Sequence, residues 1–397
     1  MSSTTTPSLV KSKSTRIQSI DLLRGLVMII MALDHVRDYF HADAFLFNPT
    51  DLTKTNVALF FTRFVTHICA PVFVFLAGTS AFMVGQRKGK RELSFFLVKR
   101  GIWLIVLEFT VVNFGWLFNA EFPLLLVIVI WTLGISMIAL AGFIHLPFAG
   151  VAIIGALLVF GHNLLDHVHF PGSMLWSLLH EQNVYHAGRF TIFVAYPVLP
   201  WIGLMLLGYC FGSMYRPAFD ERRRKQLLLS MAAGCIALFV VMRLINGYGD
   251  PIPWSSQSNP VFTILSFFNV YKYPPSLAYV LITMGPAFLF LAFAENWKGK
   301  FASGVTSLGR VPMFYYIIHI YAIHILAMFA AMATGFSASD MTFNTWVTDS
   351  PNLKGYGFSL WTVYLVWIVL IIALLPLCKW YDHYKQRNRE KWWLSYL

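Results

Sequence analysis

One short stretch concentrates the reactive side chains of this sequence: Asp34-His35-Val36-Arg37-Asp38-Tyr39-Phe40-His41. On a helix Asp34, Arg37, Asp38 and His41 fall at i, i+3, i+4 and i+7 and share one face, with His35 within reach of Asp38 at i+3. A carboxylate bonded to an imidazole fixes its tautomer and stabilises the imidazolium, as a general base or a nucleophilic histidine requires. Arg63 and His67 lie one turn apart a short loop further on. If their helix neighbours the first, His67 can face His35 and His41 across a common cavity. The plain alternative is an ion-pair network at a helix end that meets water.

Other polar residues sit inside apolar runs. Arg24 follows Asp21 by one turn, Glu108 and Asn113 interrupt a third apolar stretch, and His319 and His324 interrupt a late one. A charge at the middle of a membrane helix costs about 2.5–3.5 kcal/mol, so each such group needs a partner or a task. Several of them in one bundle imply a polar interior that holds or passes a polar molecule.

The elements that position these groups follow from composition. The chain has 397 residues, 57% hydrophobic and 12% charged, against about 25% charged in soluble domains. So little charge excludes a disordered or nucleic-acid-binding protein. Apolar stretches recur at the length that crosses the hydrocarbon layer, about 20 residues. Ten candidate helices result, over 20–40, 61–85, 98–118, 122–142, 147–165, 191–214, 226–246, 276–295, 310–334 and 358–379. The expected fold class is all-α, a polytopic helical bundle in the lipid bilayer.

Most of the thirty Lys and Arg then fall on one side, including the clusters at 87–100, 216–225 and 379–391. The positive-inside rule makes that side cytoplasmic and places both termini there. The expected organisation is a disordered N-terminal tail over 1–19, a membrane domain over 20–379 and a basic C-terminal tail over 380–397. The four cysteines are scattered among apolar residues. The run His162, Asp166, His167, His169, His180, His186 fits no standard metal-ligand spacing, and no metal is expected.

The opening Arg16-Ile-Gln-Ser19-Ile-Asp21-Leu-Leu-Arg24-Gly25, before an apolar run and a polar helix end, resembles that of the transmembrane acyltransferases. In particular it is similar to the heparan-α-glucosaminide N-acetyltransferase family and its bacterial members. The resemblance extends over Pro71-Val-Phe-Val-Phe-Leu-Ala-Gly78-Thr-Ser80, Tyr196-Pro-Val-Leu-Pro200-Trp-Ile-Gly203, Tyr273-Pro-Pro-Ser276 and Leu308-Gly-Arg-Val-Pro-Met-Phe-Tyr-Tyr-Ile-Ile-His319. It implies an enzyme of the bacterial inner membrane that moves an acyl group, most simply acetyl, from cytoplasmic acyl-CoA to a sugar or lipid-linked acceptor on the far side. It also implies an active histidine just beyond helix 1, where His41 is the nearest loop histidine.

His35, His41 and His67 are therefore the candidate catalytic histidines, with Asp34 or Asp38 to orient the ring. Arg24, Arg63, Glu108 and His319 are candidates to hold the acyl-CoA. The histidine either deprotonates the acceptor or first carries the acyl group as an acyl-imidazole. A homodimer is compatible with the sequence. Two other classes remain open: a transporter or lipid/glycan flippase with a polar path, and a sensor or scaffold without chemistry.

Overall fold

The computed structural model describes residues 17–388 and 390–395. Most of the expected tail over 1–19 lies outside the described residues, while Gln18 and Ser19 already belong to the first helix. The N-terminal half carries α1 (Gln18–Phe40), α2 (Val57–Val65), α3 (Cys69–Gly85), α4 (Lys90–Leu107), α5 (Asn113–Leu117), α6 (Val129–Phe143), α7 (Phe148–Gly161) and α8 (Met174–Leu179). After these come α9 (Leu199–Phe211), α10 (Glu221–Ile245), α11 (Pro260–Phe268), α12 (Leu277–Ala294), α13 (Lys300–Arg310), α14 (Pro312–Ala333) and α15 (Leu360–Arg387).

The helical, membrane-type architecture matches the sequence reading, but the count of ten crossings does not. Among the described residues six helices are long and apolar enough to cross a membrane: Val57–Gly85, Phe148–Leu165, Glu221–Ile245, Leu277–Ala294, Pro312–Ala333 and Leu360–Arg387. The other four expected spans differ for local reasons. The first is one continuous helix, α1, charged towards both ends by Asp21, Arg24, Asp34, Arg37 and Asp38. Beyond α4 the third is re-wound by a π-helical turn over Glu108–Val112 before α5. The remaining two begin as strands, which leaves α6 and α9 short. The basic tail expected from 380 starts inside α15, which runs on to Arg387.

The fold is also not purely helical. Three short strands, β1 (Leu124–Val127), β2 (Asn183–Ala187) and β3 (Phe190–Val194), form a sheet in the order β1-β3-β2. β1 runs parallel to β3 with Leu124 opposite Thr191, and β2 is antiparallel to β3 with Tyr185 opposite Ile192. Phe190-Thr-Ile-Phe-Val194 is β-branched and aromatic throughout, which suits a pleated surface better than a helix. Val127 and Val194 from the sheet pack with Trp131 and Val198 in a small core of their own.

α1 is the pillar of the molecule, packed against α3, α12, α13, α14 and α15. Its approach to α13 requires glycine. A Cβ on Gly309 would stand 1.8 Å from the Asp21 carbonyl oxygen, and one on Gly25 would stand 1.9 Å from that of Val305. In a bilayer, where lipid offers apolar contacts as good as any side chain, such backbone proximity is a main source of helix association. The outermost faces are apolar instead: Leu244, Ile245, Trp361, Leu365 and Ile372 each stand more than 60% exposed. Water would penalise that surface, and hydrocarbon accepts it.

Candidate active site

The second half of α1 points its polar residues into a cavity of about 650 Å3, roofed by the loop after α1 and the loop after α14. Asp34, His35, Arg37 and Asp38 border it from α1, Arg63 from α2, and Trp116 from α5. Lys272 and Tyr273, Tyr316 on α14, and Trp346 complete the wall. Asp34 stands between two guanidiniums, with Arg37 at 2.8 Å from one carboxylate oxygen and Arg63 hydrogen-bonded to the other. Arg37 also bonds Asp38. The i, i+3, i+4 spacing therefore does build an ion-pair network, and it faces a cavity rather than open water.

The sequence pairing of His35 with a carboxylate gives way to a pairing with another histidine. His319 Nδ1 lies 2.8 Å from the Tyr315 carbonyl oxygen, one turn back on α14, so this nitrogen carries the hydrogen. His319 Nε2 is then an acceptor, and it sits 2.8 Å from His35 Nδ1, which must donate. The chain of bonds leaves His35 Nε2 with a free lone pair. Trp116 packs edge-on against the His35 ring, with centroids 4.8 Å apart, and holds it in place.

A second cavity, of about 310 Å3, lies further back along α1 and is bordered there by Arg24, Met28 and Met31. Its walls are apolar, with Phe73, Leu97, Leu133 and Met137, and its rim carries Arg24, Arg100, Arg310 and Lys385. Arg24 bonds Asp21, the Gly309 carbonyl and the Ser80 hydroxyl, so it braces α1, α3 and α13 together. Arg24 and His35 are eleven positions apart on one helix, about 16 Å at 1.5 Å per residue. The two cavities are neighbours, with Tyr316 and Val129 bordering both. Trp116 Nε1 donates to the Tyr316 hydroxyl at 3.3 Å, which leaves the phenolic hydrogen available to a further acceptor.

The fold does not bring the remaining candidates to these cavities. His41 lies just past the end of α1, where its backbone joins Phe358 in an isolated bridge. Its ring is buried, and burial holds the imidazole below its ordinary pKa. The His67 ring packs against Tyr279, whose hydroxyl donates to the His67 carbonyl at 2.7 Å. Glu108 accepts the Trp131 backbone N–H at 2.8 Å and so satisfies a donor in the first turn of α6.

Sequence reasoning passed over several cavity residues. Burial alone would raise the Tyr273 phenol, but the Lys272 ammonium and the Arg63 guanidinium outweigh it and hold it below its usual value. Tyr273 belongs to a motif that the resemblance had marked without giving it a role. Tyr316 likewise lies in a motif marked without a role for it, Trp116 reads as core because it is an aromatic in an apolar run, and Trp346 lies in a loop that offered no motif.

His162, Asp166 and His180, whose spacing suggested no site, come together at the end of α7, with their ligand atoms all within 4.8 Å of one another. His162 and Asp166 are four positions apart, so one helical turn aligns them, and only the fold could add His180.

No curated protein matches the chain. The family model described as heparan-alpha-glucosaminide N-acetyltransferase, catalytic, matches residues 16–244. That span contains α1, α2 and the sheet, and therefore Arg24, Asp34, His35 and Arg63, whereas Lys272, Tyr316 and His319 come from beyond it. With more than half of its length matched, the chain belongs to the heparan-alpha-glucosaminide N-acetyltransferase family.

Proposed function

We propose that the protein is a membrane-embedded acyltransferase that binds acyl-CoA in the smaller cavity and its acceptor in the larger one. The observation that carries this reading is that Tyr316 and Val129 border both cavities, with the Tyr316 ring 6.1 Å from that of His35. The apolar walls of the smaller cavity suit a pantetheine arm. The Arg24, Arg100, Arg310 and Lys385 rim suits the phosphates. This rim faces the cytoplasm if the basic clusters obey the positive-inside rule. The larger cavity offers tryptophan and tyrosine faces beside charged hydrogen-bonding groups, a combination that recognises a saccharide.

In the proposed step the acceptor amine or hydroxyl attacks the thioester carbonyl at the junction. His35 Nε2 takes the proton as the new C–N or C–O bond forms. The Tyr316 hydroxyl donates to the oxyanion, and collapse breaks the C–S bond. The departing thiolate takes the proton from His35, which regenerates the neutral base. His319, held by the Tyr315 carbonyl, keeps His35 in the tautomer that presents Nε2.

A transporter remains the second reading, favoured by the same abutting cavities. The test is purified protein in nanodiscs with radiolabelled acetyl-CoA and a glucosamine-terminated acceptor. Release of free thiol and transfer of label that His35→Ala abolishes would support the acyltransferase. Stable, folded protein with no thioester turnover on acetyl- or longer acyl-CoA would sink it, and acceptor flux into vesicles would then be measured.

A further inference from the structure

The histidines at the end of α7 lie apart from both cavities. His162 is 3% exposed, yet neither of its ring nitrogens has a hydrogen-bond partner in the protein. His180 is 4% exposed and its Nδ1 is also unpartnered. Leaving such a buried polar atom unpaired costs about 1–3 kcal/mol, so His162, with both ring nitrogens unpaired, needs an explanation. His180 Nε2 faces Asp166 Oδ1 at 3.2 Å. Two ligands bound at about 2.0–2.1 Å on a tetrahedron stand roughly 3.3 Å apart, so this pair already has the spacing of a zinc edge.

We infer that His162, Asp166 and His180 form a site for a divalent transition-metal ion, zinc by the chemistry of its ligands. Two neutral imidazoles and one carboxylate are borderline donors that suit Zn2+, and a fourth position stays open to water. The supporting residues fit this role. Asn163 Nδ2 donates to Asp166 Oδ2 at 2.7 Å, while Asn163 Oδ1 accepts the Leu277 N–H at 2.9 Å. This fixes the carboxylate against the start of α12 and leaves its other oxygen facing His180, as the outer partners of metal ligands do. A hydrogen-bonded pair without metal satisfies His180 Nε2 and Asp166 but leaves both nitrogens of His162 unpaired, whereas an ion takes up one of them.

The ion would tether the end of α7 to the segment that leads into β2. Gln182, two residues beyond His180, borders the larger cavity, so the tether holds one edge of that cavity. This inference does not depend on the acyltransferase reading.

The test uses tag-free protein in nanodiscs, stripped with chelator and dialysed against Zn2+, with metal counted by mass spectrometry. About one equivalent per chain is expected in the wild type, in His167→Gln and in His169→Gln, whose parent side chains are exposed. His162→Gln and His180→Gln should lose it, and Asp166→Asn should bind at least tenfold more weakly. Cobalt in place of zinc should give the visible bands of a low-symmetry N2O site, lost in the same variants. Wild-type protein that takes up no zinc and no cobalt, or uptake unchanged in Asp166→Asn and the folded histidine variants, overturns the inference. Where a histidine variant fails to fold, the Asp166→Asn titration and the wild-type cobalt spectrum decide.

Discussion

His35 Nδ1 stands 2.8 Å from His319 Nε2, across the interface of two helices separated by most of the chain. Because the Tyr315 carbonyl determines which nitrogen of His319 bears hydrogen, a backbone group on α14 sets the tautomer of a side chain on α1. The arrangement resembles the way an outer carboxylate orients a catalytic imidazole, with a neutral ring in the carboxylate's place. A neutral partner keeps the site free of another buried charge.

Replacing His319 by Leu should therefore lower kcat by about 10- to 100-fold, the range for losing a group that orients an active side chain. The KM for acyl-CoA should stay nearly constant, because the ring touches neither proposed substrate. His35→Ala should cost more, about 10²–10⁴ in kcat, as expected for a lost general base. Steady-state kinetics on both variants check this. A His319→Leu variant that raises KM and leaves kcat alone would show that the ring shapes the binding site instead.

Asp34 is shared by Arg37 and Arg63, and its side chain is 13% exposed. Asp34→Asn keeps the shape but leaves two guanidiniums near one another without their common counter-ion. Breaking one partner out of a buried ion pair typically costs about 3–5 kcal/mol. The expected result is a clear fall in melting temperature with wild-type helical content. Adding Arg63→Met should restore part of the loss, since it removes one of the stranded charges. A double variant no more stable than Asp34→Asn alone would place the damage elsewhere.

Much of this site was legible in the sequence, for a definite physical reason. Helical periodicity alone put Asp34, Arg37 and Asp38 on one face, and a polar cluster inside apolar sequence pointed to a site. Neither argument reaches across the bundle, so the partner of His35 was misjudged as a carboxylate on its own helix. His319 reads in the sequence as an intramembrane histidine and a candidate to hold acyl-CoA, not as the partner of His35. The span count failed at 122–142 and 191–214 because hydropathy registers only apolar length. It cannot distinguish a crossing helix from the strands Leu124–Val127 and Phe190–Val194 feeding short helices. Glu108 shows the same limit: a buried carboxylate reads as functional, and its observed bond is to the backbone of α6.

His41 offers a pH-dependent handle. Burial holds its folded-state pKa below the ordinary histidine value. The neutral ring is therefore favoured by folding. Its contribution to stability is present above the unfolded-state pKa, about 6.5, and is lost as pH falls through the depressed folded value. Melting temperature should thus decline as pH drops from about 7 to 5, and His41→Phe should flatten that decline. Parallel melting curves for wild type and variant over this range would assign the acid sensitivity to other groups.

Tyr316 borders both cavities, and its hydroxyl already accepts from Trp116 Nε1. Two substitutions separate the roles this position combines. Tyr316→Phe keeps the ring as a wall and removes the donor, so kcat should fall by about 10²–10³ if the hydroxyl supports the oxyanion. Tyr316→Ala removes wall and donor together. Transfer to the acceptor should then fall at least as far, and water reaching the junction should produce acyl-CoA hydrolysis that no longer requires acceptor. Thiol release measured with and without acceptor distinguishes the two variants. If Tyr316→Phe transfers at the wild-type rate, the phenol acts only as a partition, and the oxyanion must be met by another donor at the junction.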